Sequence, residues 1–409
     1  MSIILSFNMG NFETNNIMQG SPPPNEYRVS LSNWRKYPYC KWSFLNVRNL
    51  IPTAPISHNT SEKIGFEKKI IDLNNIIIEH NEKKSNLISI LKKCDTDAFL
   101  VMQKGQLKYE FFDNFTKENT PHIIFSLSKS LTSLLAGILV SKKVINLNST
   151  VSSIIEETKG SAYENATVRN VLDMNVASGF IEDYTGSAKI FKAYRASTGW
   201  DLPELNEDLN HNGLHDFLSK LPQSDLKHGN KYHYCSPHTD LLGWIIERAS
   251  GYNYSMIMNE LLFKPAGVIH DSYVTVDQWG ASRAAGGISI TPYDLLLISE
   301  LVRCKGYKEN QEVIPSSWIE DIQNCKHNEP YLNQDNLERF PNGNYRSKWY
   351  QTGFSDGEFC GIGIHGQNIW INPKKDLTII RMSSASDPIN IGTEELMFKV
   401  FEEIAKVLD

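Results

Sequence analysis

The chain has 409 residues, of which 41% are hydrophobic and 22% are charged. These values are ordinary for a globular protein that buries a large core. The formal net charge is −6 and the cationic residues form no stripe, so neither nucleic acid nor a membrane surface is expected as a partner. The N-terminal residues lack the basic start and long apolar run of a signal peptide or a membrane-spanning helix. We therefore expect a cytoplasmic protein with small-molecule partners. A homodimer stays open, because the sequence does not determine the oligomeric state.

The sequence predicts neither a metal site nor a cofactor. Its six cysteines are spread singly, without the paired spacing of a zinc site or a disulfide framework. His211 and His215 have a spacing that can bind metal on a helix. However, Asn212-Gly213 weakens a helix there, and no Glu-bearing zinc-protease pattern is present.

The first predicted elements are an arm, a helix and a hairpin. Residues 1–60 carry scattered aromatics without periodicity, which indicates an extended arm packed by its aromatic rings. The spacing of Ile and Leu predicts a helix over Glu67–Lys93. Two strand-like runs within 98–112 flank Lys104-Gly105, a pattern typical of a β-hairpin.

The middle of the chain is predicted to be mainly helical. An almost wholly apolar helix starts at Ser126 and ends near Lys142, and a short capped helix follows over Thr167–Met174. The glycine-containing stretch Val176–Trp200 is interpreted as a loop. Ser236-Pro237 begins a further helix, with a serine cap and a proline in its first turn, that Gly251 ends.

Near the C-terminus, runs at 361–371 and 377–382 predict a hairpin, and an amphipathic helix follows over Glu394–Leu408. Strands toward both chain ends with helices between them predict a mixed α/β (α+β) fold. Its antiparallel sheet would come from about 95–115 and 275–409, flanked by helices. The mostly helical region would span about 125–270.

The most informative motif is Ser126-Leu-Ser-Lys129. Residues three apart share a helix face, so the amine would lie beside the hydroxyl at the helix end that favours negative charge. Burial would lower the pKa of Lys129, so that a neutral amine accepts the serine proton. Two other Ser-x-x-Lys pairs, at Ser89 and Ser224, begin no buried helix. The alternative for Ser126 is a serine that caps its helix.

Two further segments supply candidate partners. Tyr234 precedes the Ser236 helix and would approach the serine if the two helix starts converge; the alternative is a half-buried aromatic with a solvated hydroxyl. The glycine-rich segment 361–367 indicates a close approach by ligand or backbone, where N–H groups could bind an oxyanion; the alternative is a bulged core strand. The nucleophile-elbow pattern at 353–357 is set aside, because no helical pattern follows it.

The order of Ser126-x-x-Lys129, Tyr234-x-Ser236 and the glycine-rich segment resembles that of the serine β-lactamase and penicillin-binding protein superfamily. Four segments closely resemble the 6-aminohexanoate-dimer hydrolases, which are related to class C β-lactamases and carboxylesterases: 125–131, 182–184, 234–240 and 361–370. Even the arm, 33–56, is similar. The resemblance implies that 61–409 forms a single catalytic domain with the β-lactamase/DD-peptidase-like fold.

The resemblance also implies a serine enzyme that works through an acyl-enzyme. Ser126 would be the nucleophile and Lys129 its base, while Tyr234 would deliver a proton to the leaving group. The backbone N–H groups of Ser126 and Ile364 would bind the oxyanion.

Tyr184, Arg195 and His365 are the implied substrate-binding residues. Arg195 stands where the efficient nylon-oligomer hydrolases carry an aspartate, and Ala285 stands where the family has an asparagine. Both differences argue against a cationic amino-hexanoate ligand, and Arg195 favours an anionic group. The alternative is a solvated loop arginine.

These features predict a carboxylesterase with amidase activity on small linear substrates. Esters need less protonation of the leaving group than amides. The family's Lys-Thr-Gly lysine is missing, which argues against β-lactam substrates. Two alternatives stay open: an acyltransferase on the same fold, and a binding or sensor protein that is acylated without turnover.

Overall fold

The structure is a computed structural model that describes residues 13–60, 65–113, 115–185, 187–202, 212–325, 331 and 339–408. In these residues sixteen strands alternate with helices. The strands are β1 Thr53–Ser57, β2 Glu67–Lys68, β3 Ile77–His80, β4 Lys83–Asn86, β5 Thr96–Gln103, β6 Gln106–Phe112, β7 His122–Ile123, β8 Ser272–Thr275, β9 Ile288–Ile290, β10 Tyr307–Lys308, β11 Gln311–Glu312, β12 Asn344–Arg346, β13 Trp349–Gln351, β14 Phe359–Gly363, β15 Gln367–Asn372 and β16 Leu377–Ser383.

The α-helices lie mainly between β7 and β12. They are α1 Cys40–Ser43, α2 Leu87–Lys93, α3 Leu127–Ser141, α4 Val151–Ile154, α5 Val168–Leu172, α6 Lys189–Ser197, α7 Leu214–Ser219, α8 Ser236–Ser250, α9 Tyr254–Met258, α10 Lys264–Ala266, α11 Pro292–Arg303, α12 Ser316–Asn324 and α13 Ile391–Val407. A π-helical turn, Asn259–Phe263, joins α9 to α10. None of the helices in the described ranges is long and apolar enough to cross a lipid bilayer.

The main sheet has eight strands in the order β12-β13-β14-β15-β16-β5-β6-β2. All neighbours in this sheet are antiparallel except β2 and β6, which run parallel. A smaller antiparallel sheet has the order β1-β8-β9-β7. The predicted mixed fold with an antiparallel sheet built from both chain ends is confirmed.

Helices cover both faces of the main sheet. One hydrophobic core contains residues of α3, α8 and α11 together with inward side chains of β5, β15 and β16. On the opposite face lie α2 and α13, and Phe401 of α13 packs against Phe99 and Trp370 of the sheet. Because β14 lies next to β15 and packs against α3, the glycine-rich strand is held beside the start of that helix.

Several predicted elements are confirmed with small shifts in their ends. The hairpin β5–β6 turns at Lys104 and Gly105, whose φ angles of 52° and 75° suit a tight two-residue turn. Thr167 caps α5 through a reciprocal capping box with Asn170. Helix α8 begins at Ser236 rather than after it, and Gly251 ends it with φ of 76°.

Three predictions of secondary structure are wrong. The predicted helix over Glu67–Lys93 holds strands β2, β3 and β4 before the short helix α2, because Asn81 and Glu82 adopt left-handed φ angles and turn the chain into a hairpin. The predicted loop at 176–200 contains the helix α6. The predicted single strand at 361–371 is a hairpin of β14 and β15 that turns through 364–366.

The described part of the N-terminal arm packs through aromatic rings against the residues that lead into α3. Trp34 and Phe44 are buried and contact Phe125, which immediately precedes Ser126. Trp34 Nε1 also donates a hydrogen bond to the Trp200 carbonyl oxygen at 3.1 Å. The arm therefore helps to fix the backbone that leads into α3.

Candidate active site

The Ser126 hydroxyl lies at the start of α3, beside the Lys129 amine. Lys129 Nζ is 2.7 Å from Ser126 Oγ and 2.9 Å from the Ala285 carbonyl oxygen. Ser126 is 7% exposed and Lys129 is 2% exposed. Although Ser126 occupies the N-cap position, its side chain makes no capping hydrogen bond. The capping alternative is therefore wrong, since the hydroxyl pairs with the amine.

Burial lowers the pKa of Lys129 from 10.5 to about 7, because the charged form loses its hydration. The Glu182 carboxylate raises this pKa and the Arg283 guanidinium lowers it. In the structure Lys129 Nζ donates to both Ser126 Oγ and the Ala285 carbonyl oxygen; once neutral, the amine can keep the bond to Ala285 and accept the Ser126 proton instead. The pair thus has the geometry of a nucleophile and its base.

Tyr234 lies on the other side of the serine, two residues before α8. Its side chain hydrogen-bonds that of Ser126, and its ring centre lies 5.1 Å from Lys129 Nζ. Burial, followed by the Glu182 carboxylate, raises the pKa of Tyr234 far above its usual range. The phenol therefore keeps its proton at neutral pH and can donate it.

The backbone takes up left-handed conformations next to both candidate oxyanion donors. Phe125, immediately before Ser126, has φ of 44°, and His365, immediately after Ile364, has φ of 60°. Such angles are strained for bulky residues and persist only where the surroundings fix them. The strain therefore lies at the two turns that carry the N–H groups of Ser126 and Ile364.

An aromatic cluster holds these two turns together. The rings of Phe125 and His365 lie 5.3 Å apart, and Phe44 contacts both at 4.8 and 5.0 Å. Trp34 and Trp200 complete the cluster around Phe125. Packing of this kind fixes side-chain and backbone positions together.

The glycines of β14 allow the strand to approach the start of α3. A Cβ atom at Gly361 would lie 2.9 Å from Ser130 Oγ and 3.0 Å from Leu127 Cδ2. At Gly363 it would lie 2.9 Å from the Ile124 carbonyl oxygen. The prediction that this segment marks a close backbone approach is confirmed.

Glu182 connects the two loops around the serine. Its carboxylate accepts hydrogen bonds from the Ser236 N–H at 2.9 Å, the Ser236 hydroxyl at 2.6 Å and the Tyr184 hydroxyl at 2.6 Å. Sequence reasoning placed Glu182 in a family-like segment without giving it a role. Its contacts depend on the fold, so the sequence carried no signal for them.

A buried ion pair lies behind Lys129. Asp240 pairs with Arg283, and Asp240 Oδ1 accepts the Ala285 N–H at 2.7 Å. The Ala285 carbonyl oxygen in turn accepts a hydrogen bond from Lys129 Nζ, so the ion pair positions the residue whose carbonyl orients the amine. Sequence reasoning missed this network, although Asp240 ends the segment that begins at Tyr234.

The predicted substrate-binding residues surround this centre. The half-buried Tyr184 side chain packs against Phe191, 5.3 Å between ring centres. Arg195 lies on α6 with its side chain 23% exposed and its Nε 2.8 Å from Asp201 Oδ2. It is therefore not a solvated loop residue. His365 is 3% exposed, its Nδ1 lies 2.8 Å from the Ala385 carbonyl oxygen, and burial lowers its pKa to about 4.

Two cavities open on either side of Ser126. The first, which we call the tyrosine cavity, has about 470 Å³ and is lined in part by Tyr232, Tyr234 and Tyr350. The second, which we call the arginine cavity, has about 650 Å³ and lies between the arm, α6 and Lys129. Their shared wall consists of Ser126, Glu182, Tyr184, Ile364 and Pro388. A substrate bound across this wall would place its scissile bond at the hydroxyl.

Within the described ranges, no group of three His, Cys, Asp or Glu side chains is arranged to hold a metal ion. His211 of the considered metal pair lies outside the described residues, and His215 stacks on Trp244 at 4.1 Å.

The elbow-like segment 353–357 follows β13 and leads into β14 rather than a helix. Its rejection is confirmed.

Comparisons with known proteins show the family and the fold of the chain. The model of the β-lactamase family matches residues 90–399. A 6-aminohexanoate-dimer hydrolase from Paenarthrobacter ureafaciens is 29% identical over 380 residues, covering 93% of this chain and 94% of that protein.

Solved structures show the same fold. One from Bacillus anthracis, assigned as a 6-aminohexanoate-dimer hydrolase, has a TM-score of 0.86 at 23% identity and covers 94% of this chain and 98% of its own. A family VIII carboxylesterase has a TM-score of 0.56 at 12% identity, covering 77% of this chain and 95% of its own.

The chain belongs to the β-lactamase family. It is a serine hydrolase of the β-lactamase fold, an enzyme class that acts on ester or amide bonds. Its similarity to 6-aminohexanoate-dimer hydrolases extends over most of its length.

Proposed function

We propose that the protein is a carboxylesterase with weaker amidase activity on small linear substrates, and that Ser126 is its nucleophile. The observation that carries this proposal is the 2.7 Å contact between Ser126 Oγ and a buried Lys129 amine whose pKa is about 7. Such an amine is half neutral near pH 7, so it can accept the serine proton as the hydroxyl attacks.

Acylation involves three proton transfers. Ser126 Oγ bonds to the carbonyl carbon as its proton passes to Lys129 Nζ, and the carbonyl oxygen becomes an oxyanion held by the Ser126 and Ile364 N–H groups. The bond to the leaving group then breaks as Tyr234 gives that group its proton, and Lys129 restores the proton to Tyr234. Water repeats the sequence on the acyl-enzyme and releases the acid.

Esters are the preferred substrates because an alkoxide or phenoxide leaves with less protonation than an amine. The side chains of β14 include no lysine that could pair with the carboxylate of a β-lactam. Tyr184 lies at the boundary of the two cavities, where its hydroxyl would contact the scissile group or the leaving amine. Turnover should therefore fall in the order ester, linear amide, cephalosporin.

A panel of p-nitrophenyl esters, linear p-nitroanilides and a chromogenic cephalosporin tests the proposal. The wild type is expected to turn over the esters fastest, and Ser126→Ala should abolish this turnover. Ser355→Ala, in the elbow-like segment, is the matched serine control and should keep full activity. Ester turnover that survives Ser126→Ala, or a preference for the cephalosporin, would contradict the proposal.

Adding methanol or a primary amine to the ester assay distinguishes a hydrolase from an acyltransferase. The hydrolase predicts that free acid is the main product at low concentrations of the added nucleophile. A product that is mainly transferred acyl group would indicate the alternative function.

A further inference from the structure

The arginine cavity contains more cationic than anionic groups. Two guanidinium groups, those of Arg35 from the arm and Arg195 from α6, pair with the same Asp201 carboxylate. In the described part of the chain no other carboxylate pairs with either of them. One carboxylate neutralises only one of the two charges, so the described residues of this cluster carry an excess positive charge.

Among the residues that the structure describes, the other charges around the cavity reduce this excess but do not remove it. Arg283, which also lines the cavity, is neutralised by its own buried partner Asp240. The Glu182 carboxylate on the shared wall contributes one negative charge, which the hydrogen bonds from Ser236 and Tyr184 do not remove. Lys36, exposed on the arm, adds a further cation at the rim.

The two guanidinium groups are partly buried and held in position. Their side chains are 18% and 23% exposed, and Asp201 is 22% exposed. Arg35 lies 5.0 Å from the ring centre of Trp34, and Arg195 lies 5.2 Å from that of Phe191. Burial lowers the pKa of Arg35 to about 10; the Arg195 and Arg283 charges add to this lowering, and the Asp201 carboxylate opposes it. An incoming anion would offset the excess positive charge.

We propose that Arg35 and Arg195 bind a carboxylate of the substrate in the arginine cavity, so that the preferred substrates are esters bearing an anionic group on one side of the scissile bond. The inference rests on the proposed esterase function, because a carboxylate bound in the arginine cavity can affect substrate preference only if Ser126 attacks the substrate. Guanidinium groups suit this task because their fork of N–H donors matches a carboxylate. Tyr232, Tyr234 and Tyr350 would contact the apolar part of the substrate across the shared wall.

The test compares matched neutral and anionic esters. One pair is p-nitrophenyl hexanoate and the mono-p-nitrophenyl ester of adipic acid, which carries the carboxylate on the acyl group. The other pair is phenyl acetate and 4-acetoxybenzoate, which carries it on the leaving group. In at least one pair the wild type should prefer the anionic member, and the preference should weaken as salt screens the charges.

Variants assign the preference to residues. Arg35→Gln and Arg195→Gln should each lower kcat/KM for the anionic ester relative to the neutral one by about 10- to 100-fold, mainly through KM. Asp201→Asn should raise the same ratio, because it removes the competing carboxylate. Arg48→Gln is the control: this arm residue pairs with Asp271 and should leave the ratio unchanged. A ratio that is equal in wild type and both glutamine variants would overturn the inference.

A binding measurement keeps the inference separate from the proposed function. Adipate should bind to Ser126→Ala in calorimetry, and adding Arg195→Gln should weaken that binding about 10-fold or more. If no ester is turned over but adipate binds in this way, the esterase proposal fails while the carboxylate site stands. If esters are turned over without an anionic preference and adipate does not bind, the site is refuted and the esterase proposal stands.

Discussion

The pH dependence of catalysis should report the unusual pKa of Lys129. With a pKa of about 7, the amine is about nine-tenths neutral at pH 8, whereas an ordinary lysine would be about 0.3% neutral. Burial therefore increases the fraction of competent base about 300-fold at that pH. For a neutral ester, kcat/KM should fall about tenfold for each pH unit below 7 and level off above it.

The assay is a profile of kcat/KM at constant ionic strength, repeated with Glu182→Gln. Because the Glu182 carboxylate raises the pKa of Lys129, removing its charge should move the acidic limb to lower pH. Glu157→Gln is the control, since Glu157 forms an exposed pair with Arg248. A wild-type limb near pH 10, or a limb that Glu182→Gln moves upward, would refute this account of the base.

Three further variants test other parts of the site. Tyr234→Phe should lower kcat/KM for an anilide by about 100-fold, and should lower it less for the matching p-nitrophenyl ester, because an amine leaving group needs a proton more than a phenoxide does. Equal losses for the two substrates would show that Tyr234 does not protonate the leaving group. Asp240→Asn should cost about 3–5 kcal/mol of unfolding free energy in urea titration, since it leaves the Arg283 cation buried without its partner. Gly361→Ala should cost about 1–3 kcal/mol, because its Cβ would meet Ser130 and Leu127; unchanged stability would show that β14 can move away from α3.

The serine motif could be predicted because its evidence is local. Ser126 and Lys129 lie one helical turn apart, and the apolar residues of α3 follow directly. Burial of the pair, and hence the lowered lysine pKa, followed from that pattern alone. The Ala285 carbonyl that orients the amine could not be predicted, because it comes from a segment 156 residues away.

The misassigned segment 67–86 shows the limit of periodicity. Isoleucines at 76–78 fit a helix as well as a strand when only a few residues are considered. The hairpin depends on left-handed turns at Asn81 and Glu82, and β2 pairs with β6 across 39 residues of sequence. Tertiary contacts therefore decided this segment against its local pattern.

The glycine-rich segment was predicted only in part, because its turn also depends on tertiary contacts. Its glycines correctly indicated a close approach, but the turn at 364–366 was hidden inside what looked like one continuous strand. Gly366 adopts φ of 88°, and His365 is held in its left-handed conformation by the rings around it. The cluster of Arg35, Arg195 and Asp201 was also out of reach, since the arm and α6 meet only in the folded chain.

Labelling with a fluorophosphonate followed by peptide mapping tests whether Ser126 is the nucleophile. One adduct per chain is expected, on the peptide that contains Ser126, and no labelling of Ser126→Ala. Labelling should be slow at pH 6 and faster at pH 8, as Lys129 loses its proton. An adduct that persists in Ser126→Ala, or that maps to Ser355, would contradict the account.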